Sequence, residues 1–554
     1  MKQRVQDLKK QGDQLWSKRA PLESLWQTTA ENFYPERADF TVRRSLGDEF
    51  ASHLMTGRPV LARRDLANSL SSILRPTSQP WFFARTDNEQ INEDQTALRW
   101  LDEASDKMRR VMYAKNSQFI RATKQGDNDF SAFGQCVISV DVNKAFNGLL
   151  YRAWHLRDVV WQENAELAID TVHRKWKLDA RSLVKLFPKT VDPKVRETAE
   201  KEPFREYECR HIVIPADEYD LKVSKGRPFV SLYVDVENQG VLEEIPVPML
   251  DYVIPRWVTV SGSQYAYSPS TTIALPDARM LQQIGLTLLE AGQKAVDPPM
   301  IAKGEAIAGA VNTFAGGVSW IDPDYDEDKG DALRVLAGSD AHNFQFGMDR
   351  EHRVEQFIYE AFYLNQIQLP DVGGGDMTAY EVQKRIEEYL RRARPLFEPM
   401  ETEYNGGLCE KTFEKMLRLG AFGSPADMPP QLLGQDVRFQ FESPLQAAAD
   451  RAKVAAFQQS AQLLEIAVQM DPNARFNLNA SKALRDALNA SGAPSDWIPS
   501  EDEVAAATQQ AQQQQAAEAA QAAVANTAGT VGAVADAAHR TGAAKQQLQQ
   551  AGMI

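Results

Sequence analysis

The chain has 554 residues, enough for three or four domains' worth of core, and its apolar (43%) and charged (25%) fractions are those of an ordinary soluble protein. Its net charge of −14 argues against a free-standing DNA-binding protein with a broad basic face. It does not argue against a protein through which DNA slides without sticking.

Residues 1–135 read as mostly helical. Val5, Leu8, Leu15, Leu22, Leu25 and Trp26 give an irregular helical spacing, and Leu61, Leu66, Leu70, Ile73 and Leu74 give a cleaner stripe closed by Pro76. Two further helices are predicted over 98–113 and 119–133. From 134 to 260 the character changes. Residues 136–140, 149–154, 167–176, 210–214, 229–236 and 252–258 are β-branched or aromatic runs between turn residues, which predicts antiparallel sheet with one helix inserted over about 179–187.

A helix is then predicted over 276–295, with Met280, Leu281, Ile284 and Leu288 on one face and Asp297-Pro298-Pro299 as its stop. At ~20 residues it is ~30 Å long. Residues 300–340 are turn-rich, with a strand expected at Trp320 and an acidic run from Asp322 to Asp328. A second long helix follows over 346–364, so two long helices flank a small insert. Next come Gly373-Gly374-Gly375 and the stretch MTAYEVQKRIEEYLRRARPLF, where Thr378 is placed to N-cap a helix and Glu381 falls at the third position of a capping box. The helix is densely charged and needs wet or charged neighbours. Helices are expected over 404–419, 444–470 and 479–490. From Glu503 more than half the residues are Ala or Gln, which predicts a helix over 503–525 of roughly 35 Å, marginal alone and stabilised by packing against copies of itself. The competing reading is a frayed low-complexity tail. Gly529, Gly532 and Gly542 predict disorder at the end.

The chemistry-bearing patterns are weak. There is no phosphate-binding loop, and Gly373-Gly374-Gly375 lacks the lysine and preceding strand of one, so it reads as a hinge. Asp322-x-Asp324-x-Asp326 resembles the start of a calcium loop but has Glu327 where that loop needs Gly, and reads as a solvated acidic loop. His352 and Glu355 share a helix face as a surface pair. Trp81-Phe82-Phe83, after Pro80, reads as core. Cys136, Cys209 and Cys409 are far apart and form no CxxC, so no disulfide framework or zinc site is indicated and a reducing compartment fits. The N-terminus lacks an apolar signal core, and no apolar run approaches the ~18 residues that cross a bilayer. No cofactor, metal site or catalytic machinery is expected.

Leu66-Ala67-Asn68-Ser69-Leu70, through Leu74-Arg75-Pro76 to Pro80-Trp81-Phe82, resembles the N-terminal signature of the head-to-tail connecting (portal) proteins of short-tailed bacteriophages, the podoviruses. Met377-Thr378-Ala379-Tyr380-Glu381-Val382, with Arg385 and Glu388 following, resembles the motif that opens a long helix in the same family. The resemblance covers roughly residues 10–500. It implies a predominantly helical α+β portal fold: a wing (1–275), a stem helix (276–296), a clip (297–345), a second stem helix (346–365), a tunnel loop (366–377), long wing helices (378–423), a crown (424–502) and an Ala/Gln barrel helix with a disordered tail (503–554). It further implies a ring of about twelve copies at one capsid vertex of the virion, assembled in the bacterial host cytoplasm. Double-stranded DNA would pass through its channel, and its partners would be terminase, tail adaptor, major capsid and scaffolding proteins, with no membrane. The tunnel loop would present Gln366, Gln368, Pro370, Asp371, Gly373, Gly374, Gly375 and Asp376 to the channel. The clip would offer Asp322, Asp324, Asp326 and Asp328 to a basic partner. A net negative ring makes sense here, because a strongly basic tunnel would hold the duplex instead of passing it. The alternatives are a tail or minor capsid protein without a channel, and a packaging enzyme, which would need acids clustered around a metal or a phosphate loop.

Overall fold

In the computed structural model the first apolar stripe closes into one long helix, α1 (Lys2–Phe33), with Pro21 inside it, where the proline ring removes one intrahelical bond. The structure describes residues 2–45, 47–77, 79–312, 317–326, 328, 330–335, 341–367, 391, 400–424, 427–441, 444–471, 478–490, 504 and 506–516. The elements that follow are α2 (Arg58–Leu74), β1 (Phe82–Thr86), α3 (Gln95–Met112) and α4 (Phe119–Phe133), then β2 (Val137–Val142), β3 (Leu149–Trp154), β4 (Val159–Glu163) and β5 (Ile169–Asp179). Two short helices, α5 (Ala180–Leu186) and α6 (Pro193–Lys201), precede β6 (Glu206–Pro215), β7 (Phe229–Asp235), β8 (Gly240–Val247), β9 (Tyr252–Val253), β10 (Val258–Thr259) and β11 (Ala266–Tyr267). The chain continues through α7 (Ala274–Val296), β12 (Met300–Ala302), β13 (Leu333–Val335), α8 (Ala341–Ala361), α9 (Gly407–Arg418), β14 (Val437–Phe441), α10 (Pro444–Met470) and α11 (Ala480–Ala490).

Two compact units divide the chain: Met1–Ile91 with Trp100–Ala449, and Asn92–Arg99 with Asp450–Ile554. In the second, most described residues are helical, including α11, whose Ala487 is buried, and residues 506–516, which are exposed. The first unit holds the sheets. Strands β4 to β8 form an antiparallel meander in sequence order, with Val172 opposite Val213 and Ile212 opposite Leu232. Alternation along β6 sorts its apolar side chains between two cores. Val213 joins Trp26, Val159 and Trp161, while Ile212 and Ile214 join Val5 and Leu8 of α1. A separate three-stranded sheet runs β3-β2-β9.

The largest core is built from α2, α4, α7, α8, α9 and the β2 sheet. Ala62, Leu66, Leu70 and Leu74 stand four residues apart on α2 and are all buried, which places them one above another on a single face. Trp81 and Phe82 join them as core residues, and Phe82 lies in β1, paired with Phe441 of β14. Gly134 ends α4 at φ +79°, and a Cβ there would come within 2.4 Å of the Tyr267 carbonyl carbon, so the left-handed turn and the close approach both require glycine.

Several expectations change in detail. The run over 252–258 is two strands, β9 and β10, in different sheets, because Ile254-Pro255 interrupts it and proline cannot donate to a ladder. Trp320 lies outside any strand: its carbonyl accepts from Ala308, and Ile321 forms an isolated bridge with Ile307. Two helices are inserted between β5 and β6 where one was expected. The helix expected from Tyr404 begins instead as a π-helical turn, Glu401–Gly406, continuing into α9.

Candidate functional site

Two features of the first unit stand out: a helix pair that carries a small segment, and a buried polar cluster at the base of the largest core.

The first helical half of α7 is held in the core through Ala274, Leu275, Ala278 and Leu281, and the last half of α8 through Val354, Ile358 and Ala361. The other halves leave it. Leu289 and Val296 of α7 are exposed, as are Phe346 and Met348 of α8. Where the two helices run together, a Cβ on Gly347 would come 2.6 Å from Leu288 Cδ2, so the absent side chain lets the backbones approach closely. The base of α7 is fixed by Gln282, whose Oε1 accepts from the Met55 (2.6 Å) and Thr56 (3.0 Å) amides while Nε2 donates to the Thr56 carbonyl (2.9 Å). At the base of α8, Glu355 pairs with Arg58 at 3.2 Å, and His352 Nδ1 lies 3.8 Å from the same carboxylate.

Among its described residues, the segment between these helices has little core of its own. Strands β12 and β13 pair antiparallel, and Met300, Ile301, Leu333 and Val335 on them are exposed, as are Val318, Trp320 (72%) and Ile321. An open groove of about 780 Å³ runs along the far end of α7, lined by Leu288, Leu289, Gly292 and Val296. A two-stranded ribbon is marginal in water without a packed face. Polar contacts shape the loop: Lys303 Nζ donates to Tyr325 Oη (3.0 Å), and Tyr325 Oη donates to the Gly330 carbonyl (2.7 Å).

Asp322, Asp324, Asp326 and Asp328 all lie on this segment. Asp322 is half-buried and the other three are exposed. Asp322 accepts from the Asp324 amide (3.0 Å) and Asp326 from the Asp328 amide (3.1 Å), so the run is two successive side-chain turns. Among the described residues no group of three His, Cys, Asp or Glu side chains is placed to hold a metal. Gln366 is exposed at the end of the short helical turn Leu364–Ile367, and its amide donates to the Tyr363 carbonyl at 2.9 Å. Gln368, Pro370, Asp371, Gly373, Gly374, Gly375, Asp376, Thr378 and Glu381 lie outside the described residues.

The polar cluster was not foreseen as a unit, although Arg75 sits in a stretch already singled out. Arg75 caps the end of α2 and is buried. Its guanidinium donates to Asn405 Oδ1 at 2.9 Å and to Asp127 of α4, and it lies 4.6 Å over the Tyr404 ring. Asn405 Nδ2 donates back to the Leu74 carbonyl at 3.1 Å. Burial pushes the Asp127 carboxyl up, with Arg75 pulling against it; burial also opposes the Arg75 charge, and Asp127 and Tyr404 together more than offset it. Gly126 has no room for a Cβ, which would sit 2.5 Å from Tyr404 Oη. On the other side of the same turn, Glu403 accepts from the Arg256 amide (2.9 Å) and side chain (3.0 Å), and Arg256 also pairs with Glu163.

The profile of the family described as bacteriophage head to tail connecting protein matches residues 5–498. The chain belongs to that family. It is 24% identical over 454 residues, 79% of this chain and 78% of the relative, to the probable portal protein of Bordetella phage BPP-1. It is 22% identical over 512 residues, 89% of each chain, to the portal protein of Salmonella phage epsilon15. The family expected from the two sequence stretches is therefore the family found. Among the described residues no helix is long and apolar enough to cross a membrane.

Proposed function

We propose that this chain is the portal of a tailed phage: a ring of about twelve copies at one capsid vertex of the virion, assembled in the host cytoplasm, whose channel passes double-stranded DNA during packaging and ejection. In this reading residues 1–275 are wing, α7 and α8 are the stem, the segment between them is the clip, 366–377 lines the channel, 424–502 is crown and 503–554 extends the ring. The clip docks terminase and then a tail adaptor, with capsid and scaffolding proteins around the wing. The chain is structural and hydrolyses nothing itself.

Beyond the family match, the observation that carries the reading is the burial gradient along α7 and α8. Both helices are core residues at one end and carry exposed apolar side chains at the other. A single chain leaves that surface wet, and copies arranged around an axis cover it heterologously, each on the next. The acidic run gives a basic partner a rim that acts mainly on encounter rate and salt dependence. Negative-stain microscopy of the purified chain tests the proposal. Rings with an axial hole are expected, and solid particles or monomers at micromolar concentration defeat it.

A further inference from the structure

Two hairpin turns of the first unit hold large apolar side chains in a backbone conformation that disfavours them. Phe146 (φ +54°) lies in the turn between β2 and β3, and Leu167 (φ +62°) in the turn between β4 and β5. They are 76% and 71% exposed. A left-handed residue at such a turn is ordinarily glycine or asparagine, and a bulky one there is an outlier. The two tips are built alike. Each opens on an asparagine, Asn143 or Asn164, whose carbonyl accepts from the amide of the left-handed residue (3.0 and 3.1 Å). The same asparagine's side-chain oxygen accepts from the next amide, that of Asn147 (3.1 Å) or Ala168 (3.0 Å). Asn143 Nδ2 also donates to Asn147 Oδ1 at 2.7 Å. The apolar side chain is thus carried into solvent on a braced loop, which lowers the ordering cost of a contact made later. The turn between β7 and β8 supplies the contrast. Its left-handed residue is the polar Gln239 (φ +55°), whose Oε1 accepts from Gln6 Nε2 of α1 at 2.9 Å. There the side chain is used within its own chain, whereas Phe146 and Leu167 face solvent.

The tips differ in charge and in place. Lys144 is the one charged residue of 143–148 and Glu166 the one charged residue of 164–168, and both are exposed. Arg256 bridges Gln135, just before β2, and its guanidinium donates to the Leu167 carbonyl at 3.5 Å. Phe146 follows the other end of β2. Strand of roughly 26 Å separates Gln135 from Asn143, so the tips lie far apart and do not cover each other within one chain. Two different patches of one chain, complementary in charge and each with an apolar knob, are what a heterologous contact between copies requires. We propose that Phe146 and Lys144 of one copy pack against Leu167 and Glu166 of the next. The inference rests on the ring reading and adds to it a contact made by the sheet region, separate from the helix pair α7 and α8.

The test uses the full chain carrying Phe146→Gly or Leu167→Gly, each measured for denaturant stability and for the protein concentration at which rings form in ultracentrifugation. Glycine removes the left-handed penalty. Each variant should therefore be no less stable than the parent, yet need about tenfold more protein to assemble, the scale of a lost interface anchor. A fall in stability shows that the side chain packs within its own chain and overturns the inference. Assembly at the parent's concentration overturns it too, including the case in which a defect appears only when heads are built, which puts the tips against the capsid shell. Charge reversal reads the pairing: Lys144→Glu and Glu166→Lys should each weaken assembly at low salt, and the two together should restore it. Losses that simply add overturn the pairing. Failure of the ring reading is distinct: it appears in the unmodified chain, as absence of rings, and takes the contact with it, whereas parent rings that are indifferent to every variant overturn the contact alone.

Discussion

The sheet region and the helix-borne segment solve the same problem in opposite ways. Around β4 to β8, apolar side chains find partners within the chain: Trp161, Val213 and Trp26 share one core, and Ile212, Val230 and Leu232 share another with α1. Along the outer halves of α7 and α8 and the segment between them, Val296, Trp320, Phe346 and Met348 stay largely exposed. Both stretches are comparably apolar in sequence. In the proposed ring, what separates them is where the covering surface comes from, and a surface supplied by another copy makes folding and assembly separable properties of one chain.

The widest gap between the two regions should appear in the stability of the isolated chain. Trp161→Ala should cost about 3–5 kcal/mol by denaturant unfolding, as for other buried tryptophans. Trp320→Ala should stay within about 0.5 kcal/mol, as for an exposed position. Comparable losses would erase the distinction. In assembly the order should reverse: Trp320→Ala together with Phe346→Ala should weaken ring formation by about tenfold or more, since each side chain loses on the order of 1.5–3 kcal/mol of burial at an interface. Analytical ultracentrifugation of both variants checks this.

Acid should also act on the sheet region, through two buried histidines. His211 is buried between Tyr252 and Ser231, and its pKa falls well below the ordinary 6.5; His173, beside Arg210, is lowered by burial to about 3. Both are neutral in the folded chain, and the unfolded chain takes up the protons that they refuse. Their contribution is therefore full above pH 6.5 and is lost as pH falls from 6.5 toward about 3. His173→Gln should flatten that slope by at most about 1.4 kcal/mol per pH unit. A variant that keeps the parent's full slope would show that His173 is not responsible.

The smallest effect concerns docking. Asp324→Asn, Asp326→Asn and Asp328→Asn combined should leave stability unchanged and lower the low-salt association rate with terminase a fewfold, with the difference vanishing at high salt. A salt-independent change would point to contacts other than charge.

Helices with long apolar stripes were legible in the sequence almost to the residue: Phe119–Phe133 and Pro444–Met470 have the predicted bounds, and α7 and α8 run close to theirs. Strands were harder. β4 and β8 were missed, and β1 pairs with β14 across more than 350 residues of chain, a distance no local pattern reports. The π turn has no composition signature, because what holds it is three-dimensional. Arg75 read as the last residue before Pro76, the ordinary end of a helix. Its meaning came only with Asp127 and Asn405 brought to it from α4 and the far side of the chain. The acidic run Asp322 to Asp328 was readable as a solvated loop, because its side chains accept from amides two residues on.

Deuterium exchange compared between isolated chain and assembled ring tests the central claim most directly. Strong protection is expected on assembly over residues 288–301 and 333–350, with little change over 206–247, where the sheet is already covered. Equal exchange in the two states over 288–301 and 333–350 would contradict the account.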